Sequence, residues 1–302
     1  MRKKILLAGI AATAALALSA CAGGGDPLAS DTGDATDSSG AIIVGSADFA
    51  ESQLLATIYS HALQNAGVEV EEKLNIGSRE VYLEALRDGS INLLPEYNGS
   101  LLAELGVEMP EDGDVNGALV EALEPEGITV LEDSPAENKD TLVVVPDVAQ
   151  EHNLTNISDL EPIAGELILA GPAEWKSRYE GVPGLEEVYG LNFAEFKVLD
   201  AGGPLTLSAL QNGQAQVGDM FSSDPAIGEN DLVALVDDQG LFPPANIVPV
   251  LRDEVLDDQV SDILNQISAA LDTEGLMEMN GRIAAGDDIG AIADDWLAEH
   301  GL

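Results

Sequence analysis

From residue 41 to residue 302, short apolar runs alternate with segments whose apolar residues recur every three or four positions, and that alternation dictates an α/β fold. Residues 41–45 (AIIVG) have the unbroken apolar character of a strand covered on both faces. Leu54, Leu55, Ile58, Tyr59, Ala62, Leu63 and Ala66 follow at helical spacing, and Gly67 ends that helix. The pattern then predicts a strand over 68–74, a helix over 79–87, a strand over 91–94 closed by Pro95, a helix over 114–123 and a strand over 128–131. The rhythm restarts at 141–145 (TLVVV), with strands over 166–170, 196–199 and 216–220 and helices over 185–189 and 205–211 between them. After Phe242-Pro243-Pro244 one more strand, 247–251, precedes three helices, the first marked by Val260, Ile263, Leu264, Ile267 and Leu271.

Two α/β blocks followed by a helical return segment imply two lobes with a cleft between them. Ligands of open α/β sheets bind outside the carboxyl ends of the strands, and clefts between domains are favoured sites. No internal sequence repeat is present.

The N-terminus specifies the compartment. Arg2, Lys3 and Lys4 precede an apolar run from residue 5 to residue 18, too short for a comfortable membrane span and suited to an export signal. It ends in Leu18-Ser19-Ala20-Cys21, which resembles the lipobox of bacterial lipoproteins. That resemblance implies cleavage after residue 20 and lipidation of Cys21, the one cysteine of the chain, placing the protein outside the cytoplasm on a lipid anchor. With no second cysteine, no disulfide can form within the chain. Residues 21–40, mostly Gly, Ser, Thr and Asp, lack the apolar surface to offset their ordering entropy and read as a flexible tether.

Charge narrows the partners. The 55 acidic and 12 basic residues leave a formal charge of −43. Three basic residues and no acidic one lie in the leader, so the rest has nine basic against 55 acidic, or −46. A field of that sign repels phosphate backbones and disfavours nucleic acid. It is either a solubilising surface or an attractor of cations, and bulk charge does not choose between them.

Five segments carry a specific resemblance: residues 44–51 (VGSADFAE), 74–80 (LNIGSRE), 95–100 (PEYNGS), 199–205 (LDAGGPL) and 221–225 (FSSDP). In their order and spacing they are similar to the glycine betaine, carnitine and choline-binding subunits of osmoprotectant ABC importers, over about residues 42–300. The resemblance implies a two-lobed periplasmic-binding-protein fold of type II, in which the chain crosses between lobes twice. Lobe 1 would comprise 41–137 and 245–302, and lobe 2 would comprise 138–244. It implies a monomer that closes over a small quaternary amine or zwitterion and delivers it to an ABC permease and ATPase complex.

A quaternary ammonium has charge but no N–H, so aromatic faces hold it through cation–π attraction of roughly 0.5–2 kcal/mol per desolvated ring. The resemblance places Tyr97 and Phe221 at two cage positions, one from each lobe; core packing is the competing role for both. Two further cage positions lack rings: Asp140 or Thr141 occupies one and Ala245 the other. Asp140 offers coulombic attraction in their place, and Trp175 a replacement ring. For a ligand carboxylate, the resemblance points to Arg178, whose fork donates two parallel hydrogen bonds, with a surface ion pair to a nearby Glu as the other reading. Ser100 supplies a hydroxyl, and a lysine common near the first strand is Ala47 here. Ser46, Asn98 and Asp224 are secondary candidates. Gly202-Gly203 reads either as a tight turn or as an anion-facing helix start.

Catalysis is not expected. His61, His152 and His300 stand apart without metal-ligand spacing, no phosphate loop or nucleophile elbow occurs, and no cofactor is implied. The remaining alternatives are a binding subunit for another solute, such as an amino acid or ectoine, and a non-transport sensor or scaffold lipoprotein.

Overall fold

The computed structural model describes residues 40–302. The expected export signal (1–20), the lipidation site Cys21 and all but the last residue of the tether (21–40) lie outside the described residues. The first block runs β1 (Ile42–Gly45), α1 (Ala50–Asn65), β2 (Val70–Lys73), α2 (Arg79–Arg87), β3 (Leu93–Tyr97), α3 (Asn98–Glu104), α4 (Val115–Leu123) and β4 (Ile128–Val130). The second runs β5 (Asp140–Val144), α5 (Pro146–His152), β6 (Ile168–Gly171), α6 (Val182–Tyr189), β7 (Glu195–Val198), α7 (Pro204–Gln211), β8 (Val217–Phe221), α8 (Ala226–Glu229) and β9 (Val233–Ala234). The chain then returns through β10 (Ile247–Arg252), α9 (Asp258–Ala270), α10 (Thr273–Ala285) and α11 (Ile289–His300).

These elements make two lobes, each built on a five-stranded mixed sheet. Strand order is β2-β1-β3-β10-β4 in the first and β7-β6-β8-β5-β9 in the second. In the first sheet β1 runs parallel to β2 and β3, and β10 is antiparallel to β3 and β4. Because β10 belongs to the first sheet although it follows the whole second one, the chain crosses between lobes twice. The two crossings run side by side: Glu137 bridges Asn246, and the Asn138 N–H donates to Ala245 O at 2.9 Å.

Alternate residues of each strand feed opposite faces, as the period of two requires. Ile247 and Leu251 of β10 pack with α1, α9, α10 and α11, whereas Val248 and Val250 face α2, α3 and α4. In the second lobe Leu142, Leu169 and Val217 meet the α5–α6 side, and Val143, Ala170 and Met220 meet α7. Covering both faces with helices explains why the central strands are mostly apolar, with Glu96 of β3 and Asp219 of β8 as buried exceptions.

Three departures from the sequence pattern have local causes. The strand expected to close at Pro95 continues to Tyr97. Pro95 faces Pro249 across the antiparallel ladder, and the bonds run through even-numbered residues, such as Arg252 N to Asn92 O at 2.9 Å, so neither ring removes a ladder bond there. The second strand shrinks to Val70–Lys73, a polar edge whose outer side has no partner strand among the described residues. Finally, Asn98–Glu104 is helical where the sequence pattern assigns no element.

Candidate ligand-binding cleft

A cavity of about 60 Å³ lies between the lobes, just beyond the carboxyl ends of β1, β3 and β8. Phe49 follows β1, Tyr97 closes β3 and Phe221 closes β8, so three strands from two sheets deliver rings to one place. The Phe49 and Phe221 centroids are 5.0 Å apart and those of Phe49 and Tyr97 are 6.0 Å apart. Tyr82 and Trp175 also line the cavity, so five of the chain's twelve aromatic residues converge on it. A wider crevice of about 730 Å³ adjoins it, and Phe49 and Phe221 belong to the walls of both. The two rings therefore stand between the inner cavity and the outer crevice.

Tyr97, Ser100, Asp140, Trp175, Arg178 and Phe221 are all brought to this cavity. Their surroundings differ. The Tyr97 hydroxyl donates to Glu51 Oε1 at 2.7 Å, leaving its ring face toward Phe49. Trp175 is 1% exposed and stacks on Phe242 in the core of the second lobe, at 6.0 Å, so most of its ring is packing surface. Ala245, at a ring position of the resemblance, is buried in the first-lobe core.

Arg178 lines the cavity and makes the ion pair to a nearby Glu that was the other reading of it. Its Nε and Nη2 donate to Glu80 Oε1 and Oε2 at 2.9 and 3.0 Å, so the fork is already closed on a protein carboxylate. Glu80 opens α2 of the first lobe and Arg178 belongs to the second, so the pair spans the cleft. Burial pushes the Glu80 carboxyl up, but hydrogen bonds from Arg178 and Ser78 outweigh it and hold it down at about 2.

Ser46, Asn98 and Asp224 do not line the inner cavity. Ser46 Oγ donates to Ala47 O and accepts from the Asn75 N–H, both at 2.9 Å. Asn98 Oδ1 accepts from the Gly99 and Asn246 N–H groups at 2.7 and 2.9 Å, tying β3 to the returning chain. Asp224 accepts from the Ala226 N–H at 2.8 Å and faces the outer crevice. Short polar side chains at turns serve nearby backbone first, and these three do so here. Gly202-Gly203 is the tight turn: Gly202 has φ +62°, a Cβ there would crowd the Phe221 ring, and Asp200 accepts from the Leu205 and Thr206 N–H groups that an anion would need.

Sequence reasoning passed over four contributors. Phe49 sits in the quoted 44–51 segment, one turn after a strand end, and position after a strand was the signal available. Arg79 and Tyr82, three apart on α2, both hold Glu96: Arg79 Nε and Nη2 at 2.9 and 3.1 Å, and the Tyr82 hydroxyl at 2.7 Å. Asp219 of β8 is 1% exposed, and apart from the neighbouring Asp140 carboxyl its oxygens have no hydrogen-bond partner among the described residues. No spacing in the sequence marks it. Burial, then the nearby Asp140, push its carboxyl well up.

Beneath the cavity, Glu51 gathers four donors. Its Oε1 accepts from Tyr97 Oη and Asn138 Nδ2, both at 2.7 Å, and its Oε2 from Ser223 Oγ and Asn280 Nδ2, both at 2.6 Å. These come from β3, the first crossing, the end of β8 and α10, so one buried carboxylate ties both lobes to the hinge.

Two lobes on separate sheets, two crossings and a ring-lined cavity between them define a solute-binding protein of the periplasmic type. Residues 40–299 match the family model described as the substrate binding domain of ABC-type glycine betaine transport systems, and the chain belongs to that family. It is 28% identical over 274 residues to the glycine betaine-binding protein YehZ of Escherichia coli, covering 85% of this chain and 90% of that one. It is 27% identical over 247 residues to the carnitine transport binding protein OpuCC of Listeria monocytogenes, covering 79% and 80%. A crystal structure described as a glycine betaine/carnitine/choline ABC transporter shares the fold, with a TM-score of 0.68 at 22% identity over 86% of this chain and 98% of that one.

Proposed function

We propose that the protein captures a quaternary-amine solute between its lobes, outside the cytoplasm, and hands it to an ABC permease. The observation that carries this reading is the convergence of Phe49, Tyr97 and Phe221, from both lobes, on one cavity. Ring faces attract a cation that has no N–H to donate, by roughly 0.5–2 kcal/mol each once water is excluded. Phe49 belongs to the first lobe and Phe221 to the second, so opening the hinge parts the rings and closing it brings them over the solute. Ser100 offers a hydroxyl to the polar end, and Asp140 and Trp175 complete the walls. Arg178 acts through Glu80 as a clasp across the cleft.

In this reading residues 41–137 and 245–302 move as one lobe and 138–244 as the other. Cys21 carries the lipid, the chain works as a monomer, and it performs no catalysis. Two acyl chains at about 0.8 kcal/mol per buried methylene make a stable anchor.

Calorimetry with glycine betaine, carnitine, choline, ectoine and amino acids tests the proposal. Micromolar or tighter binding of a trimethylammonium solute without turnover is the expected result. Binding of ectoine or an amino acid alone reassigns the solute, and silence across the panel favours a sensor or scaffold.

A further inference from the structure

Glu180 is a buried acid that no cation claims. It lies two residues after Arg178 in the second lobe and is 5% exposed. Its Oε1 is closed off from solvent without a hydrogen-bond partner, and the side chain forms no ion pair among the described residues. Charged groups face it from both lobes: Arg79 of α2 and Glu104 of α3 from the first, Asp140 of β5 and Arg178 from the second. Both arginines are committed elsewhere, Arg79 to Glu96 and Arg178 to Glu80, each through Nε and Nη2. The two acids add charge of its own sign.

An ionised carboxylate buried without a partner is costly, and such a group keeps its proton instead. Burial first, then Asp140, push the Glu180 carboxyl up to about 7. Part of this enclosure belongs to closure itself, because Glu180 stands on one lobe while Arg79 and Glu104 stand on the other. Parting the lobes withdraws those two groups and lets water in, which returns a carboxyl toward its ordinary 4.5. Between those two values the closed form holds more protons than the open one, so closure and protonation favour each other. The advantage is full below 4.5 and is lost as pH rises through 7. Glu80, held at about 2, stays ionised across that range and keeps its pair with Arg178. Glu180 lines neither the inner cavity nor the outer crevice, so the solute need not touch it.

Resting on closure over a quaternary amine, as read above, we propose that Glu180 takes up a proton each time the lobes close, so that the protein holds its solute more tightly in acid than in neutral surroundings. The linkage is a property of the hinge and does not depend on which quaternary amine is bound. Burial raises Asp140 and Asp219 as well, but that pair is hydrogen-bonded within one sheet of one lobe, and a change at Glu180 leaves it in place.

Calorimetry with choline and with glycine betaine, in buffers of different ionisation enthalpy, counts the protons bound along with the solute. The unaltered protein should take up about 0.9 proton per solute at pH 6 and bind about tenfold more weakly at pH 8, as values of about 7 closed and 4.5 open require. Glu180→Gln, neutral at every pH, should lose most of that uptake and flatten the pH profile. It should also bind at pH 8 more tightly than the parent, by about tenfold or more, an effect that a damaged fold does not produce. Equal uptake in the two proteins assigns the proton to another group and overturns the inference, as does binding by the parent without uptake; in both cases the quaternary-amine function stands. If neither solute binds at any pH, the quaternary-amine reading falls, and this inference with it.

Discussion

At Tyr97 two roles meet in one side chain. The ring lies in the wall of the cavity, and the hydroxyl is one of four donors to Glu51. Tyr97→Ala removes the ring and should weaken a trimethylammonium ligand by about tenfold, at the upper end of a cation–π contact. Tyr97→Phe keeps the ring, so ligand affinity should stay within about threefold while stability falls by about 1 kcal/mol for the lost hydrogen bond. Titration calorimetry and urea denaturation separate these; equal losses of affinity would show that the hydroxyl, not the ring, is what matters. Glu180 poses a different problem. It is 5% exposed, Oε1 has no partner among the described residues, and burial, then Asp140, push its carboxyl up to about 7. Its folded value is above the ordinary 4.5, so the folded state holds the proton more tightly. That advantage is full below the ordinary value and is lost as pH rises toward 7. Glu180→Gln should therefore gain stability relative to the parent between pH 4.5 and pH 7, by about 3 kcal/mol at about 1.4 kcal/mol per pKa unit. A flat difference across urea titrations at pH 4.5 and pH 8 would contradict the burial of that charge.

Among the elements, the junction of β3 and α3 is the most tightly specified. Tyr97 ends the strand, Asn98 opens the helix without an intervening loop, and all of Leu93–Leu102 is buried. Gly99 makes the junction possible, because a Cβ there would overlap the Pro244 carbonyl where the second crossing passes. Gly99→Ala should cost about 1–3 kcal/mol by overpacking. It should also lower ligand affinity, because Ser100 and Tyr97 flank the displaced backbone. Thermal melts and calorimetry on the same variant check both; a neutral melt would mean the crossing yields easily.

The whole molecule is a hinge held at two depths. Glu51 binds the first crossing and the end of β8 from within, and the Glu80–Arg178 pair clasps the rims of the cleft. Glu80 is held at about 2, below its ordinary 4.5, so the clasp is complete above the ordinary value and fades as pH falls toward 2. Glu80→Gln should favour the open form at neutral pH, seen as a larger radius of gyration in small-angle scattering without ligand, and should weaken solute binding several-fold. Addition of Arg178→Ala to that variant should have little further effect, since both changes break one contact. Full additivity would assign Arg178 a separate contact with the solute.

Strand and helix positions were readable in advance because burial on both sheet faces imposes apolar runs, and burial on one helix face imposes a period near 3.6. The resemblance carried by residues 95–100 and 221–225 pointed to Tyr97, Ser100 and Phe221, and all three line the cavity. Pairing was another matter. That Arg178 closes on Glu80, 98 residues earlier, depends on how two lobes built from distant segments face each other, and that Asp219 is buried beside Asp140 depends on which strands pair. Charge partners are set by distance in space and by exclusion of water, and neither is encoded in the local order of residues.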